Sequence, residues 1–493
     1  MAISFSNVPA GIRVPLFYAE VDNSLANTAV TDLKVLLIGQ KTDAGTAEVN
    51  KPVLVTSVSS GRELFGVGSQ LAIMNAAYRS NDQFGEVWAI PVADPSGASA
   101  SGAFTVTGTA TAAGTLFAYV GASRVAVGVA SGDAAATIAT NLAAAINANV
   151  LLPVTAAASS GTVTLQAKNA GAFGNDISIA VNRQGYAAGE SLPEGVSVAV
   201  SAMAGGSGAP ALADAIAAMG DEQYDLVACP FADAASLDAL KAEFDDITGR
   251  WSPTRQLYGH VFSCMRGTVA ALQSFGATRN NQHETVIGIE PGMASLAVEV
   301  LGAWVARAYK SLSNDPARPL QTLELVGIAS APAGARFTLT EKQTLLTNGI
   351  ATEYTQGGYV RIERSITTYQ KNAYGVSDNS YLDVQTLFTL QYILRDLKSI
   401  ITSKYGRHKL ANDDVHFGAG QAVVTPAIIR GELIAQYQKL EERALVENLE
   451  AFKQALIVER DSTDPNRLNV SIGPDLVNQL RIFATLCQFR LQY

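Results

Sequence analysis

The sequence has few charged residues and no excess of basic ones. Charged side chains make up 16% of its 493 residues, whereas roughly 25% is typical of soluble domains. Apolar residues reach 48%, so the composition excludes a disordered chain and predicts a surface that largely contacts other protein. With 44 acidic and 35 basic residues the net charge is −9. This balance excludes a general nucleic-acid-binding protein, which needs a basic surface against the phosphates.

Cysteine and long apolar runs are also scarce. The three cysteines, Cys229, Cys264 and Cys487, are widely spaced and form no CxxC pair, which excludes a disulfide framework and indicates a reducing compartment. No uncharged apolar run reaches the roughly 20 residues of a membrane span, and the alanine-rich stretch 134–158 is interrupted by asparagines and a proline. The first residues lack the pattern of a signal peptide. We therefore expect a soluble protein without direct membrane insertion, made in the cytoplasm.

Histidine is rare enough to limit catalysis and metal binding. Only His260, His283, His408 and His416 are present, and His283-Glu284 lacks the second histidine of a zinc-protease helix. Residues 38–42, IGQKT, resemble the end of a phosphate-binding loop, but its first glycine is replaced by lysine. The GVG at 66–68 fails the dinucleotide fingerprint. We predict no metal site and no cofactor.

A hydrolase with a Ser-His-Asp triad is the enzymatic alternative. Residues 94–97, DPSG, resemble the aspartate motif of subtilisin-type proteases, and residues 267–271, GTVAA, resemble their serine motif. Val269 occupies the serine position, and no GxSxG motif occurs. A triad without its nucleophile cannot act. A subtilisin-like serine hydrolase with an unrecognised triad remains the alternative to a protein without enzymatic activity.

Strands and helices alternate along two separated parts of the chain. The length predicts about three domains. Apolar runs at 33–39 and 86–92 predict buried strands around a helical pattern at 64–80, and the alternation resumes from 211 to 310, where it includes a predicted strand at 256–262. Strand and helix in turn predict a largely parallel sheet covered on both faces.

A segment of low charge separates these two parts. From 92 to 200 only eight side chains are charged. Within it we predict a hairpin that turns near Gly121, a helix at 133–149 and a strand at 161–167. This composition predicts a small α+β domain inserted into the α/β core, ending near the glycines at 205–208.

The region from residue 349 onward has a different pattern. A half-exposed strand is predicted at 358–366, followed by a long helix at 378–405 with Asp378 capping its start and Gly406 its end. A second helix begins at Pro426. The tail looks extended at 456–459, 467–472 and 479–491. The predicted units are an N-terminal arm (1–28), an α/β core (29–92 and 206–348), an inserted domain (93–205), a C-terminal α+β domain (349–478) and a C-terminal arm (479–493).

Both ends of the chain read as apolar strands without a local partner. Ile12, Val14, Leu16 and Tyr18 share one face at period two, and Pro15 restricts this strand to a sheet edge. Such segments predict β-augmentation, in which a strand completes the open sheet edge of another copy. Pairing of both termini within their own subunit is the alternative.

Several stretches resemble the tail sheath proteins of contractile-tailed bacteriophages, particularly those of Mu-like phages. The resemblance extends over nearly the full length, and the low-charge insertion and the α/β core occur in the same order. The stretches are PAGIRVP (9–15), RIERSITTY (361–369), SYLD (380–383), KYGRHKLA (404–411), DPNRL (464–468) and PDLVNQL (474–480).

The resemblance implies a fold and an assembly. It implies a subtilisin-like core without catalysis, an inserted domain on the outside, and stacked hexameric rings that form a helical sheath around a tail tube, with baseplate and tail terminator proteins as further partners. Terminal arms would add strands to the C-terminal domains of neighbours. Ile12, Val14 and Leu16 would lie in one donated strand, and another would contain Ile482, Ala484 and Leu486. The sheath would assemble in the host cytoplasm, belong to the virion tail, and contract to drive the tube through the host envelope.

A local excess of basic residues suggests a tube contact. Residues 361–410 contain eight basic and four acidic side chains. A basic patch facing an acidic tube would attract it while remaining sensitive to salt. The tube-facing candidates are Lys398, Lys404, Arg407 and Lys409. An ordinary solvated helix end, favoured by the helix dipole, explains the same residues, and a static shell or tube subunit remains a further alternative to a contractile sheath.

Overall fold

The computed structural model describes residues 33–418 and 420–491. The predicted N-terminal arm, with Ile12, Val14, Leu16 and Tyr18, lies outside the described residues. The described chain begins with the first strand of the core. Elements up to residue 92 are β1 (Val35–Gln40), β2 (Val53–Leu54), α1 (Val58–Phe65), α2 (Gln70–Asn81) and β3 (Val87–Val92).

The helical pattern predicted as one element at 64–80 forms two helices. Ser57 and Ser69 cap α1 and α2, each accepting a hydrogen bond from a backbone N–H three residues on. Gly66 and Gly68, between the helices, have positive φ angles of 86° and 80°. Glycine adopts this left-handed backbone without steric cost, so the chain turns where the apolar period alone predicted continuity.

The low-charge segment forms two small antiparallel sheets and one helix. The elements are β4 (Ser101–Gly108), β5 (Gly114–Val120), β6 (Ser123–Val129), α3 (Ala135–Ala148), β7 (Val154–Ser159), β8 (Thr162–Ala167), β9 (Ile179–Val181) and β10 (Val196–Ala204). The sheets have strand orders β10-β4-β8-β7 and β6-β5-β9. The hairpin predicted near Gly121 is confirmed: β5 and β6 pair antiparallel, with Val120 opposite Ser123.

The chain then returns to the α/β pattern. The strand predicted at 256–262 starts later, at His260, because Gln256 and Tyr258 have positive φ angles and belong to a turn. The elements are α4 (Ala213–Ala218), β11 (Leu226–Ala228), α5 (Ala234–Glu243), β12 (His260–Arg266), α6 (Val269–Gly276), β13 (Glu284–Ile289), α7 (Ala297–Asn314), α8 (Leu339–Thr347), β14 (Ile350–Gln356) and β15 (Tyr359–Arg364).

The two parts of the core share one eight-stranded sheet. Its order is β15-β14-β13-β12-β11-β1-β3-β2, and every pairing is parallel except those of β2 and β15 at the two edges. Alternate residues of β1 enter different clusters: Val35 and Leu37 pack on one face, Leu36 and Ile38 on the other. The predicted parallel sheet covered on both faces is thus confirmed.

The C-terminal region packs around two helices. The elements are α9 (Val384–Tyr405), β16 (Lys409–Leu410), β17 (Val423–Val424), α10 (Pro426–Glu442), β18 (Val446–Glu447), α11 (Leu449–Ala455), β19 (Ile457–Arg460), β20 (Leu468–Ser471) and β21 (Asp475–Leu476). Gly406 ends α9 and Pro426 begins α10, as predicted. The prediction that Asp378 caps α9 is wrong, because Asp383 holds the capping position and Asp378 accepts hydrogen bonds from Ser380 and Tyr369 instead.

Helix α9 links the sheet to the C-terminal region. Near its middle, Arg395 forms an ion pair with Asp225 (Nη1–Oδ1, 2.6 Å), and Gln391 donates to the same carboxylate. In the second half of the helix, Leu397, Ile401 and Tyr405 pack against the C-terminal core, while its other face, with Lys398 and Lys404, is exposed. Among the helices described, none combines the length and apolar character of a membrane span.

Candidate assembly surfaces

The last described residues present an apolar segment to solvent. Residues 482–491, here called the free segment, contain neither helix nor strand. Their five largest apolar side chains are 79–89% exposed: Ile482, Phe483, Leu486, Phe489 and Leu491. Ala484 is exposed as well. The extended segment predicted here forms no backbone ladder with the described part of its own chain. A run of exposed large apolar side chains is typical of an interaction site.

The five residues before the free segment, 477–481, are held on their own subunit and are called the arm root. The Val477 amide donates to the Leu445 carbonyl (3.2 Å), and the Gln479 side chain donates to the Ala317 carbonyl (3.1 Å). Arg481 forms an ion pair with Asp383 (Nη2–Oδ1, 2.9 Å). The change from anchored to free chain therefore falls between residues 481 and 482.

The C-terminal region offers open strand edges. Its strands form three separate pairs, β16-β17, β18-β21 and β19-β20. Each strand has one neighbour within the described chain, so its other edge is not used by a further strand. Open strand edges are the feature that strand addition requires.

The four basic candidates are all exposed at the end of α9 and just after it, but they are not equivalent. Lys404 forms an ion pair with Glu432 of α10 (Nζ–Oε1, 2.7 Å), which compensates its charge. For the rest of the set, here called the unpaired cations, the described residues provide no ion-pair partner. Lys398 and Lys404 lie six residues apart, about 9 Å along the helix and about 120° around it, so they do not form one stripe. The unpaired cations are Lys398, Arg407 and Lys409.

The histidines do not form a catalytic triad in the described structure. His260 Nε2 lies 2.8 Å from Thr285 Oγ1, and both residues are buried in the sheet. Burial lowers the pKa of His260 well below its usual value. His283 Nε2 lies 2.8 Å from Asp246 Oδ1. Within residues 33–418 and 420–491, no histidine hydrogen-bonds a serine, and no cluster of three or more potential ligands could hold a metal ion.

Comparisons with known proteins agree across the whole chain. Residues 205–368 match the phage tail sheath protein central domain, and residues 376–490 match the phage tail sheath C-terminal domain. The chain is 40% identical over 498 residues to the Mu-like prophage FluMu tail sheath protein of Haemophilus influenzae, with 100% of both proteins covered.

Two solved structures are also similar. A chain of the anti-feeding prophage baseplate has a TM-score of 0.50 at 10% identity, covering 97% of this chain and 100% of that one. The sheath tail protein of Desulfitobacterium hafniense has a TM-score of 0.48 at 12% identity, covering 95% and 100%. At such identities the likeness concerns the fold alone, whereas the sequence matches identify the family. The chain therefore belongs to the phage tail sheath proteins and is a structural subunit of a phage tail sheath.

Proposed function

We propose that this subunit polymerises as stacked hexameric rings around a tail tube and that its ends exchange strands with neighbouring copies. The free segment is the observation that carries the proposal. It presents apolar side chains to solvent, leaves the body at a defined residue, and has no backbone ladder with the described part of its own chain. A strand edge on another copy would bury the apolar side chains of the free segment and would pair with its backbone N–H and C=O groups. Ile482, Ala484 and Leu486 would enter that edge, and Ile12, Val14, Leu16 and Tyr18 would act likewise at the other end.

The free-energy terms favour weak links among many subunits over tight binding between any two of them. Burying five large apolar side chains gains on the order of 10 kcal/mol at about 2 kcal/mol each. Fixing the backbone of ten residues costs about 10–20 kcal/mol. The apolar gain at best offsets the ordering cost, so backbone hydrogen bonds to a preformed edge must supply the surplus. One arm alone would bind weakly, whereas two arms per subunit would hold a ring by multivalency.

The fold is suited to contraction by movement of rigid bodies. We propose a subtilisin-like α/β core without catalysis (29–92 and 206–348), with an outer inserted domain (93–205), a tube-proximal C-terminal domain (349–478) whose first two strands, β14 and β15, extend the core sheet, and arms at both ends. The eight-stranded sheet covered on both faces supports the assignment of a rigid core. Arms that bend while they keep their strand pairing would let these domains rotate and exchange contacts without the subunits dissociating. Contraction would drive the tube through the host envelope. The free energy for contraction would be stored in the sheath when it assembles in the host cytoplasm.

The tube is proposed to contact the exposed end of α9. There the unpaired cations can face acidic side chains of the tube protein without deep apolar burial, so the contact can be released. Lys404, already paired with Glu432, would contribute less. The ends of the sheath would meet the baseplate and the tail terminator.

Truncation of the free segment tests strand exchange. Full-length protein and a chain ending at Arg481 are purified and compared by electron microscopy and sedimentation velocity. We expect the truncated chain to keep its melting temperature and circular dichroism but to form rings or monomers in place of long cylinders. The double variant Phe483→Ser/Leu486→Ser should behave like the truncation, whereas the control Gln488→Ser should assemble normally. Normal cylinders from the truncated chain would refute the proposal.

Contraction is tested separately from assembly. Cylinders formed with the tube are imaged before and after triggering, and their length and width are measured. Shortening and widening at a constant number of subunits is the expected result. Unchanged dimensions would identify a static shell instead.

A further inference from the structure

Asp383 connects three parts of the chain that are distant in sequence. It precedes α9, but its side chain makes no capping bond there. Instead its carboxylate binds Arg364, the last residue of β15, through two contacts (Nε–Oδ1, 3.1 Å; Nη2–Oδ2, 2.9 Å). The same carboxylate binds Arg481 of the arm root (2.9 Å). These three residues, here called the clamp, join the edge of the central sheet, the start of α9 and the arm root.

Neutral side chains fix the same arginine from two further directions. Arg481 donates to Gln321 Oε1 (3.1 Å) and to Gln385 Oε1 (3.2 Å). Gln321 in turn donates to the carbonyl of Leu480 (3.2 Å). The Arg481 side chain is only 13% exposed, although the next residue, Ile482, lies almost entirely in solvent. The guanidinium is therefore held by a built site and not by one surface ion pair.

The site depends on a single negative charge. Two guanidinium groups share the Asp383 carboxylate, and the described chain offers no acceptor to two further buried donors, Arg481 Nε and Gln385 Nε2. Loss of the carboxylate would leave two partly buried cations facing each other with no compensation. Breaking such a pair from one side costs far more than an exposed ion pair contributes.

We propose that the clamp is a positioning device that fixes the origin and direction of the arm on its own subunit, so that the hinge for strand exchange lies after Arg481. This inference rests on the proposed function and adds the residues that orient the arm. The ten residues of the free segment span at most about 33–36 Å when extended. A fixed origin limits the strand edges that these ten residues can reach to copies within that distance. Tension on the arm would pass through Asp383 into β15 and α9.

Limited trypsin digestion of the full-length protein tests the clamp with an internal control. Trypsin can cleave after Arg481, which is clamped, and after Arg490, which is exposed on the same segment. Intact mass spectrometry distinguishes the two products. In the native chain we expect cleavage after Arg490 to be much faster. Asp383→Asn should speed cleavage after Arg481 at least tenfold and leave the rate at Arg490 unchanged.

A matched acid controls for general loosening. Asp378→Asn removes a carboxylate from the segment before α9 that binds Ser380 and Tyr369 and not the arm root, and should leave both cleavage rates unchanged. If Asp383→Asn fails to fold, Arg481→Lys keeps the charge and the trypsin site but cannot reach all the acceptors that surround the guanidinium. It should raise cleavage after residue 481 in the same direction.

Assembly decides whether the clamp serves the arm. Clamp variants should form fewer and shorter cylinders than native protein while keeping their melting temperature within a few degrees. Unchanged cleavage after residue 481 would refute the clamp, and faster cleavage with normal cylinders would refute its positioning role. Normal cylinders from the chain truncated at Arg481 would instead refute strand exchange itself, so the two failures are distinguishable.

Discussion

Replacement of Glu353 by glutamine should remove a pH dependence built into the core sheet. Glu353 lies on β14, is only 3% exposed, and faces Glu290, which follows β13 and is also buried. Neither carboxylate oxygen of Glu353 accepts a hydrogen bond from an N–H or hydroxyl donor of the described residues, and the Glu290 carboxylate is the group that can share its proton. Burial, with the nearby charge of Glu290, raises the pKa of Glu353 to about 8. The other charged groups around the pair are Lys342, Arg336 and Glu363.

The direction and size of this pH dependence follow from the protonation of Glu353 in the folded and the unfolded chain. Below the ordinary glutamate pKa of 4.5 the carboxyl is protonated in both the folded and the unfolded chain. Between that value and about 8, only the unfolded chain loses the proton, so the free energy of unfolding falls as pH rises. At about 1.4 kcal/mol per pH unit, the loss across this interval is about 4–5 kcal/mol. The contribution is fully present below pH 4.5 and gone above about pH 8.

Glutamine is neutral at every pH and has nearly the same shape. Its amide can donate one N–H to the Glu290 carboxylate, but the second N–H would be left without an acceptor, which costs about 1–3 kcal/mol independently of pH. Glu353→Gln should therefore be less stable than native protein at pH 5 and more stable at pH 9. Urea unfolding followed by circular dichroism at pH 5, 7 and 9 measures this crossover. The exposed control Glu63→Gln should run parallel to native protein.

Parallel curves for Glu353→Gln and native protein would refute the reasoning, because they would show that Glu353 has the same protonation in the folded and unfolded states. The reasoning would also be refuted if the variant were more stable than native protein at pH 5. The pair would then be stabilised as carboxylates by groups other than those named.

Three further predictions concern the tube contact and two helical glycines. Replacing the unpaired cations by glutamate should reduce cosedimentation with the tube at low salt by tenfold or more and should weaken the dependence of cosedimentation on salt. Lys404→Glu should have a smaller effect because Lys404 is already paired with Glu432. An equal loss of cosedimentation for both changes would contradict this. Gly302→Ala should lower stability by about 1–3 kcal/mol, because its Cβ would lie 2.4 Å from the Met74 carbonyl oxygen. Gly431→Ala, on an exposed and open face of α10, should instead raise it by about 0.5–1 kcal/mol. Urea midpoints compare the two glycine variants.

The sequence predicted those parts of the fold that depend on local pattern. Buried strands such as β1 and β3 are short apolar runs bounded by polar residues, and the apolar period of α9 identifies a helix before any contact is known. The hairpin at Gly121 and the start of α10 at Pro426 follow from residues whose backbone preferences are strong. These features were predictable because neighbouring residues determine them.

Predictions failed where a distant residue or a single dihedral angle decides the outcome. The break between α1 and α2 depends on positive φ angles at Gly66 and Gly68, which the apolar period does not encode. Asp378 and Asp383 are equally good capping residues by type, and only tertiary contacts distinguish them. Asp383 binds Arg481, which lies about a hundred residues away, whereas Asp378 binds the nearby Ser380 and Tyr369. No spacing rule connects such positions.

The predicted C-terminal strand shows a third limit on what the sequence of one chain can predict. The apolar character of residues 479–491 is a local property, so the sequence could indicate an extended, interacting segment. A strand also needs a neighbour, and the backbone groups of the free segment have no ladder partner in the described part of the chain. Under the proposed strand exchange, the preference is encoded in one molecule while the neighbour that completes the strand belongs to another. A segment with strand propensity but no strand is then the expected state of a single copy, and the anchored residues just before it mark where the exchanged strand would begin.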